Sequence, residues 1–184
     1  NCAALCAAAA GDEVGYQKAY DRLRQRYGDS TSVYSTYSLI LGCGATTRPY
    51  PDPAQWNRVL ALLRTASADR LKNVAIGLAE YRAQRYPEAL QALTRPQSET
   101  YPVDWPLLAL IHHALGNDQE ARSWLEKGRE LYERRVAERP ANAVRTLVEE
   151  RADYLALFHV LYREAATKIT GTAPAAPRET KPDK

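Results

Sequence analysis

The segment NVAIGLAEYRAQRYPEALQAL, residues 73–93, is followed 32 positions later by a related segment, WPLLALIHHALGNDQEARSWL, residues 105–125. The two align without a gap, and the apolar residues of each have the spacing of a helix, a short turn and a second helix. A period of roughly 30 to 35 residues is typical of stacked helical hairpins, because a single hairpin cannot bury its apolar face alone. The repeat therefore predicts an all-α chain of stacked hairpins.

Small residues occupy matching positions in the two copies. Gly77 aligns with Ala109, and Ala89 aligns with Ala121 twelve positions further along each copy. Because the distance between two packed helices is set by the side chains at their contact, small residues allow a close crossing. We therefore expect the two helices of each hairpin to cross at these positions.

Further helical patterns lie on both sides of the repeat. The predicted helices cover residues 1–10, 14–27, 31–41, 53–66, 68–84, 87–94, 103–115, 118–138 and 141–169, with a loop over residues 42–53. Asp52 is expected to cap the fourth helix with Pro53 at its first position, and Pro140 interrupts the helical pattern. We expect residues 1–170 to form a right-handed superhelix of about four hairpins closed by a long C-terminal helix, and the Pro-rich residues 171–184 to form a disordered tail.

The composition narrows the class of protein. The chain has 184 residues, of which 45% are apolar and 26% charged, as in ordinary globular domains. Its net charge of +3 is too small to indicate nucleic-acid or membrane binding by itself, and no long apolar run predicts a transmembrane helix. The chain has no methionine, so we expect it to be a piece of a longer protein.

Candidate metal ligands and catalysts are few. His112 and His113 are adjacent on one predicted helix, so their side chains point about 100° apart and cannot bind one metal ion as an i, i+4 pair would. Cys2 and Cys6 share a helix face but lack two further ligands at a suitable spacing for zinc. His159 lies in an apolar stripe and is expected to be a core or partly buried residue. We predict no metal, no cofactor and no catalytic site.

Basic residues alternate with tyrosines in two stretches, residues 15–28 and 126–140. Such patches can bind a phosphate backbone. In the second stretch, however, glutamates alternate with the arginines at the i, i+4 spacing of a solvated helix face. We therefore expect no nucleic-acid binding. Binding of nucleic acid by the stacked hairpins is the third of three candidate functions, after two that involve protein partners.

The repeat resembles the tetratricopeptide repeat, whose pattern contains Trp, Leu, a small residue, Ala and a large apolar residue at fixed positions. The resemblance is clearest over residues 68–128. It is carried by Trp105, Leu108, Ala109, Ala121 and Leu125 in the later copy and by Ile76, Gly77, Ala89 and Leu93 in the earlier one. Two departures are Asn73 in place of the Trp and Gln84 in place of the turn glycine, which Gly116 supplies in the later copy.

The same region is similar to the repeat tails of large bacterial serine/threonine protein kinases and their WD40-containing relatives. The matching residues are Tyr81-Arg82-Ala83, Arg85-Tyr86, Glu88-Ala89, Asp104-Trp105, His112-His113, Leu115-Gly116, Glu120-Ala121-Arg122 and Trp124-Leu125. The resemblance implies a helical protein-interaction module, not itself an enzyme, within a larger bacterial signalling protein. The odd number of cysteines argues against a disulfide framework, so we expect the module to be cytoplasmic. The alternative is a regulatory or dimerising C-terminal region of such a kinase, although no kinase motif is present in this sequence.

The first helix of each hairpin lines the concave side of a stacked-hairpin superhelix. The residues predicted to face this groove are Val74, Leu78, Tyr81, Arg82, Pro106, Leu110 and His113. This set is apolar apart from one arginine and one histidine. We therefore expect the groove to hold a protein or peptide partner as an apolar segment or helix.

Overall fold

Every regular element in the described part of the chain is an α-helix. A computed structural model of the chain describes residues 2–44, 53–65, 70–94, 102–137, 152–172 and 174. The helices in these residues are α1 (Cys2–Ala10), α2 (Glu13–Tyr27), α3 (Val33–Gly44), α4 (Pro53–Thr65), α5 (Arg70–Arg82), α6 (Tyr86–Leu93), α7 (Asp104–Ala114), α8 (Asp118–Ala137) and α9 (Ala152–Thr170). The all-α prediction is confirmed over these residues, and Pro53 begins α4 as predicted.

One predicted boundary is wrong. The sequence predicted a loop from residue 42, but α3 continues to Gly44. The carbonyls at a helix end lack backbone partners and need other donors. The Tyr16 hydroxyl lies 3.2 Å from the Gly42 oxygen and 3.1 Å from the Cys43 oxygen, and Arg82 Nε donates to the Gly44 oxygen at 2.8 Å. These distant side chains support the added turn of helix, which a local sequence pattern cannot predict.

Several predicted features lie outside the described residues. They are Asp52, Pro140, residues 141–150, residues 175–184 and the side chains of Cys2 and Cys6.

Three turns in the described residues share one backbone geometry. Gly11, Gln84 and Gly116 follow α1, α5 and α7, and each has a positive φ, of 72°, 60° and 77° respectively. In each turn the next residue donates its N–H to the carbonyl five residues before it, as in a Schellman helix end. These bonds join Asp12 to Ala7, Arg85 to Glu80 and Asn117 to His112, each at 2.9 Å. The repeat in the sequence is thus a repeat in backbone geometry.

Consecutive helices pack in pairs. The helix α1 packs on α2, α3 on α4, α5 on α6 and α7 on α8, and contacts also join α1 to α3, α3 to α5 and α5 to α7. Gly77 marks a close crossing, because a Cβ atom there would lie 2.9 Å from Leu93 Cγ of α6. Ala89, Ala109 and Ala121 are fully buried. These burials agree with the crossing positions predicted from the repeat.

The last helix does not simply extend the row of pairs. The helix α9 packs on α7 and α8 and also on α1, the first helix of the chain. Its buried side chains are Leu157, Phe158, Leu161, Tyr162, Ala165 and Ala166. The Tyr162 ring stacks on Tyr132 of α8 at 4.8 Å between ring centres, above Gly128, whose Cβ position lies 3.2 Å from that ring. The helix α9 therefore belongs to the main apolar core.

Within the described residues, no helix combines the length and the apolar character that a membrane crossing requires.

Candidate interaction site

The predicted groove residues are almost all buried. Val74, Leu78, Tyr81, Pro106 and Leu110 are buried, and the Arg82 side chain is 7% exposed. Only His113 is substantially accessible, with 38% of its side chain exposed. The structure thus brings the set together on α5 and α7 but does not leave it open to an external ligand.

Two residues of this set contact α9. Arg82 forms a two-pronged ion pair with Glu164 of α9, with its terminal nitrogens 2.8 Å from Oε1 and 2.6 Å from Oε2. Paired hydrogen bonds of this kind fix the geometry of an arginine and a carboxylate and are among the stronger polar contacts in proteins. The Glu164 side chain is only 11% exposed. The charge pair is therefore mostly buried where the end of α5 meets a side chain of α9.

Tyr81 and Lys168 complete the polar cluster. Lys168 Nζ lies 2.9 Å from Glu164 Oε1 and 3.1 Å from the Tyr81 hydroxyl, which itself lies 3.4 Å from Glu164 Oε1. The Tyr81 ring also faces two cations, at 5.2 Å from the Arg82 guanidinium carbon and 5.5 Å from Lys168 Nζ. These four side chains, called the Glu164 cluster below, join the end of α5 to α9.

At neutral pH, Glu164 and Tyr81 have the protonation states that the hydrogen bonds of the cluster require. Burial alone would raise the pKa of the Glu164 carboxyl, but the hydrogen bonds and charges of Arg82 and Lys168 outweigh it and lower that pKa below its ordinary value. Burial, and then the charge of Glu164, raise the pKa of the Tyr81 hydroxyl. The carboxylate is therefore charged and the phenol protonated at neutral pH, so each hydrogen bond has a donor and an acceptor.

A second group of charges lies at the other side of the α5 end. Glu80 has a fully buried side chain, and it pairs with Arg64 of α4 and with Arg85, whose Nε lies 2.5 Å from Glu80 Oε2. The arginines are partly exposed, at 56% and 40%. Since a buried carboxylate needs charged or hydrogen-bonding partners, this pairing accounts for an acid inside a helical core.

The adjacent histidines have separate neighbours. Asn117 Nδ2 lies 3.4 Å from His112 Nδ1, whereas His113 Nδ1 lies 3.6 Å from the Asp118 carboxylate. Burial lowers the pKa of His112, and the charge of Glu120 opposes that shift. Within the described ranges, no three His, Cys, Asp or Glu side chains converge as metal ligands would. His159 is partly buried and meets the Tyr132 ring edge-on at 5.2 Å, in agreement with its predicted place in the core.

The sequence analysis did not identify Glu164 and Lys168. Their i, i+4 spacing is a readable sign of a helix-surface ion pair. Nothing local in the sequence indicates that the pair meets Arg82, because 82 positions separate Arg82 from Glu164. The missing information was the return of α9 to α7 and α1, which brings Glu164 and Lys168 to the end of α5.

Comparisons with known protein families, with characterised proteins and with solved structures return no match to this chain.

Proposed function

We propose that the chain is a tetratricopeptide-like module that binds proteins, within a larger, cytoplasmic signalling protein of bacteria. It takes no part in catalysis itself. Its contribution is a rigid set of stacked helices whose accessible residues, such as His113 of α7, Arg122 of α8 and Lys18 of α2, meet a partner.

One observation carries this proposal. Two residues of the face predicted to hold a protein segment, Tyr81 and Arg82, contact Glu164 and Lys168 of α9 in the same chain. Amphipathic helices lying in apolar grooves are a recurring mode of peptide recognition. The contact supports a surface whose shape and chemistry suit a helical ligand.

The repeated turn supports the family part of the proposal. Three hairpin turns share a left-handed residue and the same backbone hydrogen bond, and the contacts of the first helices run from α1 to α3, α5 and α7. Stacked hairpins with this pattern of neighbours are the basis of solenoid proteins that bind partners. The resemblance of residues 68–128 to kinase-associated repeat tails supports the signalling context.

A regulatory or dimerising C-terminal region of a serine/threonine protein kinase is the second candidate. The contact of α9 with Tyr81 and Arg82 of the same chain favours this candidate. A partner that competes with α9 for these residues would switch the region between two states. Light scattering over a hundredfold range of concentration separates the two candidates. A reversible dimer favours the second candidate, and a monomer throughout favours the first.

The test of the proposed function is site-specific photo-crosslinking with the full chain. A photoreactive amino acid replaces His113 at the edge of the predicted groove, or the exposed Arg122 of α8, and the protein is irradiated in bacterial lysate. We expect discrete crosslinked proteins that excess unmodified chain competes away. The absence of any competable crosslink at both positions, and at a third on the exposed Lys18 of α2, would contradict a protein-binding function.

A further inference from the structure

We infer that the surface under α9 is a ligand-binding site, that α9 is a built-in ligand, and that the external ligand is an amphipathic helix with a glutamate that pairs with Arg82. This inference rests on the proposed function and adds the site and the chemistry of the partner. The site is called the α9-binding surface below, and it consists of Tyr81, Arg82 and the packed face of α7.

The first argument concerns Arg82, which the rest of the chain positions without α9. Its Nε atom donates to the Gly44 oxygen at the end of α3, at 2.8 Å, and its guanidinium faces the Tyr81 ring. Both terminal nitrogens therefore remain directed at the Glu164 carboxylate. A binding group that is held in place before its ligand arrives loses little entropy on binding, which is a property of receptors.

The second argument concerns the place of the ion pair in the structure. Arg82 and Glu164 are 7% and 11% exposed, and the buried residues of α9 near them are apolar, whereas Lys168 is 43% exposed. A buried ion pair is weak evidence for stability, because desolvation offsets most of its attraction, and its best-attested use is to select a partner and its register. The pair therefore makes occupation of this surface depend on a matching charge, which is the condition for a choice between α9 and an external helix.

The third argument gives the sequence of the ligand. The buried side chains of α9 fall at −7, −6, −3, −2, +1 and +2 relative to Glu164, and the half-exposed Lys168 follows at +4. The buried members are Leu157, Phe158, Leu161, Tyr162, Ala165 and Ala166. Spacings of three, four and seven put them on one face of a helix. The external ligand therefore has two turns of paired apolar residues, then Glu, two small residues and, four positions after the Glu, Lys.

The experiment uses the full chain and a fluorescent peptide, ADYLALFHVLYREAATKIT, which is the sequence of α9. In the chain variant Glu164→Arg, the internal helix places a positive charge against Arg82. When α9 occupies the α9-binding surface, that chain cannot bind the peptide. A weaker contact of α9 therefore increases the fraction of chains that can bind and raises the apparent affinity for the peptide. We expect the dissociation constant measured by fluorescence anisotropy to fall at least tenfold relative to the unmodified chain. The control Glu88→Arg makes the same charge change at an exposed residue of α6 and should leave the dissociation constant unchanged.

A charge exchange tests the role of Arg82 directly. The chain variant Arg82→Glu is offered two peptides, the natural one and one with Arg at the position of Glu164. We expect the Arg peptide to bind this chain at least tenfold more tightly than the natural peptide, and the order to reverse on the chain with Glu164→Arg. Comparing two peptides on one chain cancels the loss of the Arg82 contact with Gly44.

Four results would overturn the inference. One is an equal affinity of both peptides for every chain, and another is the absence of peptide binding by chains that keep their helical circular dichroism. A third is the loss of the helical signal in both chain variants, which would make α9 a permanent part of the core. The fourth is a dimer of the variants that the peptide dissociates, which would assign the occupant to a second copy of the chain. A competable crosslink at Arg122 or Lys18 in any of these cases would leave the proposed function standing without this site.

Discussion

The hairpins α5–α6 and α7–α8 share one backbone but differ in chemistry at the same positions. In the first, residues 80 and 85 are Glu and Arg, joined as a charged pair 2.5 Å apart. In the second, the residues 32 positions later are His112 and Asn117, in neutral contact at 3.4 Å. Both pairs lie beside the same turn, whose backbone hydrogen bond is 2.9 Å long in each hairpin. The repeat thus fixes the backbone and the contact between the two positions but not the charge of either side chain.

The reason for the difference lies in the neighbouring helices. The buried Glu80 at the end of α5 has two cationic partners, Arg64 of α4 and Arg85 in the turn that follows α5. The His112 ring has a neutral partner in Asn117, and Glu120 is the acidic group whose charge acts on its pKa. We therefore expect the two hairpins to respond differently to mutations at equivalent positions, and similarly to mutations in the backbone turn and the helix crossing.

The largest expected effect is at Glu80. The double variant Arg64→Ala with Arg85→Ala leaves the Glu80 carboxylate buried without these partners, and breaking a buried pair in this way costs about 3–5 kcal/mol. His112→Ala removes one neutral hydrogen bond and should cost about 1 kcal/mol or less. Urea unfolding followed by circular dichroism measures both. If the free energy of unfolding fell equally in the two sets of variants, the charge of residue 80 would make no difference to stability.

The helix crossings should instead respond alike. Ala89→Leu and Ala121→Leu each force a larger side chain into a fully buried position, and overpacking of this kind costs about 1–3 kcal/mol. Thermal unfolding of both variants measures the effect. The control is Ala83→Leu, at an exposed position, which should change the free energy of unfolding by less than about 0.5 kcal/mol. A loss in only one of the two variants would contradict a common crossing geometry.

The turns should respond with opposite signs. Gln84 has a φ of 60°, where a side chain is strained, whereas Gly116 has a φ of 77° with nothing within 4 Å of an added Cβ atom. Gly116→Ala should therefore destabilise by about 1 kcal/mol through backbone strain alone. Gln84→Gly should stabilise by about 0.5 kcal/mol, because the entropy of glycine in the unfolded chain offsets part of the gain. Differential scanning calorimetry resolves both changes, and a loss on Gln84→Gly would mean that the side chain itself contributes to the fold.

The smallest expected effect is a pH dependence at His112. Because burial lowers its pKa below the ordinary value of 6.5, the folded state favours the neutral ring. The neutral His112 ring contributes its full stability above pH 6.5. That contribution is lost as the pH falls from 6.5 through the lower pKa of the folded state, because the unfolded chain binds the proton first. We expect the urea midpoint of the unmodified chain to fall more between pH 7.5 and 5.5 than that of His112→Asn. Identical slopes would contradict the buried, neutral state.

Much of the fold could be predicted because its signals are local or periodic. The apolar spacing of residues 73–93 and 105–125 is a property of the sequence alone, and it predicted the helices α5 to α8 to within two residues at nearly every end. The left-handed conformation of Gln84 could not be read from the residue type, since glycine is the usual choice there. Only its alignment with Gly116 indicated it.

The candidate site was predicted in part. Tyr81 and Arg82 were named from the repeat, and both do meet another helix. The sequence could not identify that helix as α9. The contact of Arg82 with Glu164 depends on the packing of helices that are far apart along the chain, and no local sequence pattern indicates it. Likewise, the contact between Arg82 and the Gly44 carbonyl joins residues 38 positions apart.

The contact of α9 with α1 has a consequence for how the chain folds. In an open row of hairpins each unit touches only its neighbours, so such proteins can unfold from either end in steps. Here Ala10, at the end of α1, and Ala152, at the start of α9, are 142 positions apart in the sequence, and the two helices pack on each other. Contacts between residues so distant along the chain slow folding, since a long loop must close before they form. They also connect the first and last helices of the described residues, so hairpins that form a linear row by sequence should unfold as one cooperative unit rather than stepwise from one side.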